Sequence, residues 1–346
     1  MMTSSTHVPG RTPGKLGVAG GILAFALAVA GCTGPASSGG SAGATIPASP
    51  GPAGPLEKTH LTVGTLAVND DAPLYLAIKD GLFRQAGLTV TPVPVPASAD
   101  AIGDMRRGTA DVIAGADYVS FFQAESKGSV RLRLLADASH CRTSTFQVLA
   151  LPGSGINGPA SLAGKTVAVN LTGSVQTLTL DSLLNANNVS PSSVRYTRVP
   201  FPDMAAALKA HKVDAISTIE PYVTGTEEQD GAVPVVSQCT GPTADFPMSG
   251  YFATDAWARK YPNTARAFAR AIDAAQALAN SDQQSVRAIL PTYTAVSAQA
   301  ADVMGISSYP DTVSATALQQ VTIMMRTAGM LPGPLSVQSL LLGQDR

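Results

Sequence analysis

Apolar and polar positions switch between two periods along this chain. Leu61 to Val68 is a strand-like run that closes on Ala67-Val68-Asn69. Beyond it, Leu74, Ile78 and Leu82 recur every four residues with Tyr75 and Phe83 beside them, which predicts a helix with one apolar face. Pro73 suits the first turn of that helix, and Asp70 or Asp71 is placed to cap its free amides. Gly87 marks its end. Leu88 to Val95 resumes as a strand that Pro92, Pro94 and Pro96 confine to a sheet edge, because proline cannot donate to a ladder on both sides.

The same sequence of periods returns about one hundred residues later. Ala168-Val169-Asn170 ends the run Thr166 to Val169 and precedes a second helical segment begun by Gly173-Ser174. Asp111-Val112-Ile113 leads through Gly115 to Asp117 and Tyr118, and its counterpart Asp214-Ala215-Ile216 leads to Glu220 and Tyr222. Short helix-like segments, Ala101 to Arg107 and Met204 to Lys212, precede these landmarks. Few, long repeats predict paired domains rather than a solenoid, and alternating strands and helices predict sheets covered on both faces. Two extended runs, Thr145 to Leu151 and Ser249 to Thr254, read as strands crossing between the lobes. After Asp255 the chain reads as helical, with Ala-rich Thr264 to Asn280 and then Ala315 to Ala328. The expected layout is lobe one over 59–148, lobe two over 149–248, and a mostly helical return to lobe one over 249–346.

The first residues read differently. Arg11 and Lys15 precede an uncharged stretch, Leu16 to Ala30, and Val29-Ala30-Gly31-Cys32 closes it. A basic start, a short apolar core and a small-residue site make a secretory signal over 1–31, since a membrane span needs about 20 apolar residues. Cys32 after small residues resembles the bacterial lipobox, in which the cysteine is lipidated and begins the mature protein. An incidental cysteine behind an ordinary signal peptide is the alternative. Residues 32–58 are rich in Gly, Ser, Ala and Pro and read as a flexible tether. The expected location is the outer face of the cell membrane, held by the lipid.

Removing residues 1–31 leaves 21 basic against 24 acidic side chains, a surface that does not recruit nucleic acid. With 45% apolar residues the chain can bury a full core without a metal or disulfide scaffold. In an oxidising exterior Cys141 and Cys239 are candidates for one disulfide, two buried free thiols being the alternative.

Three stretches carry a family resemblance. The run from Ala72 to Leu88 (APLYLAIKDGLFRQAGL) looks like the opening signature of the SsuA-like solute-binding family of ABC transporters. That family takes up nitrate, sulfonates and taurine and includes thiamine-pyrimidine binders. Ser161 to Val169 resembles the start of its second lobe, and Asp214-Ala215-Ile216 with Glu220-Pro221 its later strand-to-helix turn. The resemblance implies an α/β, two-lobed, type II periplasmic-binding-protein fold with a cleft between the lobes. It also implies a small-molecule ligand, no catalysis, no cofactor, and docking of a monomer on a permease and ATPase.

Elementary rules point to the same site. In open α/β sheets ligands sit beyond the carboxyl ends of the strands, at helix N-termini. The loops so placed supply Asn69, Asp70, Asp117, Tyr118, Asn170, Thr172, Gly173, Ser174, Glu220 and Tyr222 as candidate ligand contacts, with Glu220 the strongest single choice. They hold Asp70, Asp71, Asp117 and Glu220 but no Lys or Arg, which favours a neutral, amine or zwitterionic ligand over nitrate. Other motifs fail on context. Gly153-Ser154-Gly155-Ile156-Asn157-Gly158 matches a dinucleotide fingerprint in letters but opens no βαβ unit, and no zinc-like His or Cys spacing occurs. Trp257 reads as packing, and His60, His140 and His211 as surface or satisfied residues. A surface sensor and an exported enzyme are the competing functions; loss of uptake on deletion separates transport from sensing.

Overall fold

The structure, a computed structural model, describes residues 54–342, all within one compact unit. The signal segment, Cys32 and most of the tether lie outside the described residues. Ten strands form two five-stranded sheets. The first contains β1 (His60–Thr65), β2 (Thr89–Pro94), β3 (Val112–Asp117) and β4 (Leu132–His140), and the second β5 (Phe146–Ala150), β6 (Thr166–Val169), β7 (Arg195–Arg198), β8 (Ala215–Ile219) and β9 (Val233–Ser237). The last strand, β10 (Pro247–Thr254), returns to the first sheet.

The strand orders, β2-β1-β3-β10-β4 and β7-β6-β8-β5-β9, are the same pattern twice. In each, three parallel strands are followed by an antiparallel strand that has just arrived from the other sheet. The passages between sheets cover 141–145 and 238–246, so β5 belongs to the second sheet along its whole length. β2 lies at an edge, where its prolines cost no inner ladder.

One aspartate in each lobe registers the repeat. The Asp111 carboxylate accepts from the Thr62 N–H at 2.9 Å, and Asp214 accepts from the Thr166 N–H at 2.7 Å. Each thereby pins the start of the lobe's first strand to the start of its third.

Both faces of both sheets are buried, as adjacent residues show. Val112 and Tyr251 pack into one core with Leu74, Phe83 and Phe268, while Ile113 and Phe252 pack into another with Phe121 and Phe122. Since side chains alternate across a strand, helices must cover both sides. Those covering the first sheet early in the chain are α1 (Ala72–Lys79), α2 (Leu82–Gln85), α3 (Ile102–Arg107) and α4 (Tyr118–Ser126). The second sheet takes α5 (Val175–Ala186), α6 (Phe201–Lys209) and α7 (Tyr222–Asp230). The return is helical: α8 (Asp255–Lys260), α9 (Pro262–Ser281), α10 (Gln283–Ile289), α11 (Ala298–Val303) and α12 (Ala315–Thr327). In α9, Ala265, Phe268, Ile272, Ala275 and Ala279 recur at helical spacing and are all buried.

One local expectation needs correction. Neither Asp70 nor Asp71 caps α1; Asp71 turns back to accept from the Thr65 hydroxyl and, at 2.7 Å, from the Leu66 N–H. Burial pushes its carboxyl up to about 7. Gly115, at φ +54°, lies where any Cβ would come 2.5 Å from Asp71 Oδ1, so only glycine fits. Trp257 is packing with a polar anchor: it donates to Asp111 at 2.8 Å.

Candidate functional site

A cavity opens between the two sheets, at the carboxyl ends of their parallel strands. Leu66, Val68 and Asp70 line it after β1, and Gly115 and Asp117 at the end of β3. From the second lobe come Asn170, Leu171 and Ser174 after β6, and Ile219 at the end of β8. The chain reaches the same point through Phe146 and Ser249, near the starts of the two strands that exchange sheets.

The predicted residues divide into two groups. Asp70, Asp117, Asn170 and Ser174 meet on the cavity wall. The others point elsewhere. Asn69 is fully buried behind it, donating to the Ser307 hydroxyl at 3.2 Å and accepting from the Tyr309 hydroxyl. Tyr118 is a core residue whose hydroxyl donates to Asp137 at 2.9 Å. Thr172 is exposed, the Gly173 carbonyl accepts from Gln123 at 3.2 Å, and the Tyr222 ring stacks on Phe201. Glu220 is buried but does not line the cavity.

Sequence reasoning did not single out Phe146, Gln176, Phe201, Met248 or Ser249, which also line the cavity. A signal existed for Phe146 and Ser249. A strand that begins as the chain changes lobes must begin at the cleft.

The matched acids Asp117 and Glu220 each reach across to the opposite lobe. Asp117 caps α4, accepting from the Val119 N–H at 2.8 Å and the Ser120 hydroxyl at 2.7 Å. It also accepts from the Val175 N–H at 3.2 Å, in the first turn of α5 in the second lobe. Glu220 accepts from the Thr224 hydroxyl at 2.8 Å within its own lobe, and from the Gly305 N–H at 3.2 Å in the returning segment of the first. Its carbonyl adds a bond from the Asn69 N–H at 3.0 Å. Burial is the main cause that pushes Asp117 up to about 6 and Glu220 up to about 7, partly offset by these donors.

Asp70 differs from both. Its Oδ2 accepts from the Ser249 hydroxyl at 2.8 Å, and its Oδ1 is buried without a partner. Burial holds its carboxyl above the usual range. Within the two passages a disulfide joins Cys141 to Cys239, with Cα atoms 5.7 Å apart. Among the described residues, no group of three or more His, Cys, Asp or Glu is arranged to hold a metal. No helix among them is long and apolar enough to cross a membrane.

Comparison with known proteins places this geometry. The chain is 27% identical over 249 residues to a putative ABC transporter periplasmic binding protein of Brachyspira hyodysenteriae, spanning 66% of this chain and 69% of that protein. The alkanesulfonate-binding protein SsuA from Xanthomonas axonopodis pv. citri, bound to MOPS, superposes with a TM-score of 0.70 at 17% identity, over 82% of this chain and 98% of that one. The periplasmic nitrate-binding protein NrtA from Synechocystis superposes with a TM-score of 0.68 at 16% identity, over 81% and 84%. The fold is therefore that of the periplasmic binding proteins. A family model described as NMT1/THI5 like matches residues 69–285, and the chain belongs to that family.

Proposed function

We propose that this chain is the extracytoplasmic solute-binding component of an ABC importer. It holds a small organic solute between the lobe built on the first sheet and the lobe built on the second, and delivers it to a permease and ATPase. It performs no chemistry, acts as a monomer, and is anchored to the cell membrane by lipid on Cys32. The observation that carries this reading is the cavity, which takes its walls from both lobes and has Asp117 of one lobe bonded to the Val175 N–H of the other. A ligand touching both walls at once favours the closed arrangement, and closure is what a permease can read. The named relative and the shared fold support it.

Thermal-shift titration of the mature chain against nitrate, bicarbonate, taurine, alkanesulfonates, aminopyrimidines, riboflavin and small amines tests it. A ligand at 100 times its dissociation constant adds about 2.7 kcal/mol, a visible rise in melting temperature. No shift with any of them sinks the solute-binding reading. In cells, Cys32→Ser is expected to move the protein from the membrane to the soluble fraction, and retention on the membrane removes the anchor.

A further inference from the structure

The walls of the interlobe cavity carry two carboxylates, Asp70 and Asp117, and no cationic side chain. Three polar side chains there already donate within the chain: Ser174 to the Leu171 carbonyl at 2.6 Å, Gln176 through one amide proton to the Ser217 carbonyl at 2.6 Å, and Ser249 to Asp70 at 2.8 Å. No Lys, Arg or His lines the cavity. The α5 N-terminus that faces it would ordinarily suit an anion. Here the chain fills that place itself: Asp117 takes the Val175 N–H and the Ser174 hydroxyl takes the Gln176 N–H. An anionic ligand would therefore meet a carboxylate where it needs a donor.

Asp70 presents the opposite vacancy. Its residue is 5% exposed, its Oδ1 has no partner, and it lines the cavity. A buried acceptor left unmatched in this way calls for a donor from outside the chain. The remaining wall, with Leu66, Val68, Phe146, Phe201 and Met248, suits a hydrocarbon body. The space is small. It offers about 60 Å³ to the centres of water-sized groups. At about 10–15 Å³ for each such group, that is a handful of heavy atoms.

We propose that Asp70 is the ligand-recognising carboxylate of this cavity, and that the solute is a small organic cation, an alkylammonium or amidinium without an acid group. The inference rests on the reading of the cavity as the solute site. The N–H cation pairs with the Asp70 carboxylate where it lines the cavity, while Ser249 holds Oδ2 in place. Asn170 and Ser98 also line the cavity, and the alkyl part lies on the apolar wall. A bound cation also offsets the cost of ionising Asp70 in a buried position.

Isothermal titration of the mature chain with butylammonium, butan-1-ol and butane-1-sulfonate separates charge from body, since the hydrocarbon is the same in all. Butylammonium is expected to bind about tenfold or more tightly than the other two. Asp70→Asn, folded by circular dichroism, is expected to abolish that preference. The selectivity of the unaltered protein is itself a test, should the variant fail to fold. Tighter binding of the sulfonate, or equal binding of the alcohol, overturns the cationic ligand and leaves the receptor reading intact. Binding by none of the three at millimolar concentration overturns the cationic ligand, and the wider panel then decides the receptor reading.

Discussion

Asp117 and Glu220 occupy the same position in two copies of one supersecondary unit, yet they meet different surroundings. Both stand at the end of the third parallel strand of their lobe, and both cross to the opposite lobe. Asp117 faces the cavity because α5 presents only its first turn there. Glu220 faces Gly305, because the returning chain after α11 packs over it. The first lobe alone has such a return, so the symmetry of the repeat is broken by what is added to it. A duplicated position keeps its chemistry, a buried carboxylate accepting N–H groups, while its neighbours decide whether that chemistry meets a ligand.

The disulfide joins another matched pair, since Cys141 follows β4 and Cys239 follows β9. It closes the repeat covalently at the back, where the carboxylates close it by hydrogen bonds at the front. Replacing both cysteines by serine is expected to have the largest effect. A loop of 98 residues corresponds to a loss of about 4.7 kcal/mol in the chain-entropy account. Urea denaturation with and without reductant measures it, and an unchanged midpoint under reduction would leave the back of the molecule without a covalent link.

Breaking the front comes next. Asp117→Ala removes the cap of α4 and leaves the Val175 N–H without its partner, an expected loss of about 3 kcal/mol. Glu220→Ala leaves Thr224 and Gly305 unmatched at about 2 kcal/mol. The two variants should separate most clearly on ligand: Asp117→Ala distorts the cavity wall and weakens binding, whereas Glu220→Ala keeps the wall. Denaturation and calorimetry on the same samples decide, and a larger loss of affinity from Glu220→Ala would reverse the assignment.

Much of the architecture was legible before the structure. The repeat could be read from Asp111 and Asp214 because each must pin two strand starts, a job that fixes both residue type and spacing. The proline-marked edge strand was legible for an equally local reason. The site was legible only in part, because a loop shows which side chains reach the cleft end of a sheet and not which way each turns. Asp70 and Asp71 are adjacent, and one turns to the cavity while the other turns to Thr65 and Leu66. Tyr118 follows Asp117 directly but is drawn into the core by Phe122 and Phe252, where its hydroxyl finds Asp137. Such choices depend on packing from distant segments, and period and spacing carry no trace of them.

The smallest expected effect is on closure and pH. In this structure burial raises Asp117 to about 6 and Glu220 to about 7, against ordinary values of 3.8 and 4.5. Opening returns both carboxyls to water and towards those ordinary values. Closure therefore takes up protons, and the stability these groups lend it is full below the ordinary values. It is lost as pH rises through the raised ones. Asp71, also raised to about 7, titrates without crossing lobes, so it bears on the folding of the first lobe rather than on closure. The ligand-free protein should expand between about pH 5 and pH 8, read as a rising radius of gyration by small-angle scattering. Glu220→Gln should remove the upper part of that transition and leave the Asp117 part near pH 6. An expansion on lowering the pH instead would mean that the ionised carboxylates hold the lobes together. The donors of Val175 and Gly305 would then outweigh the burial of the charges they meet.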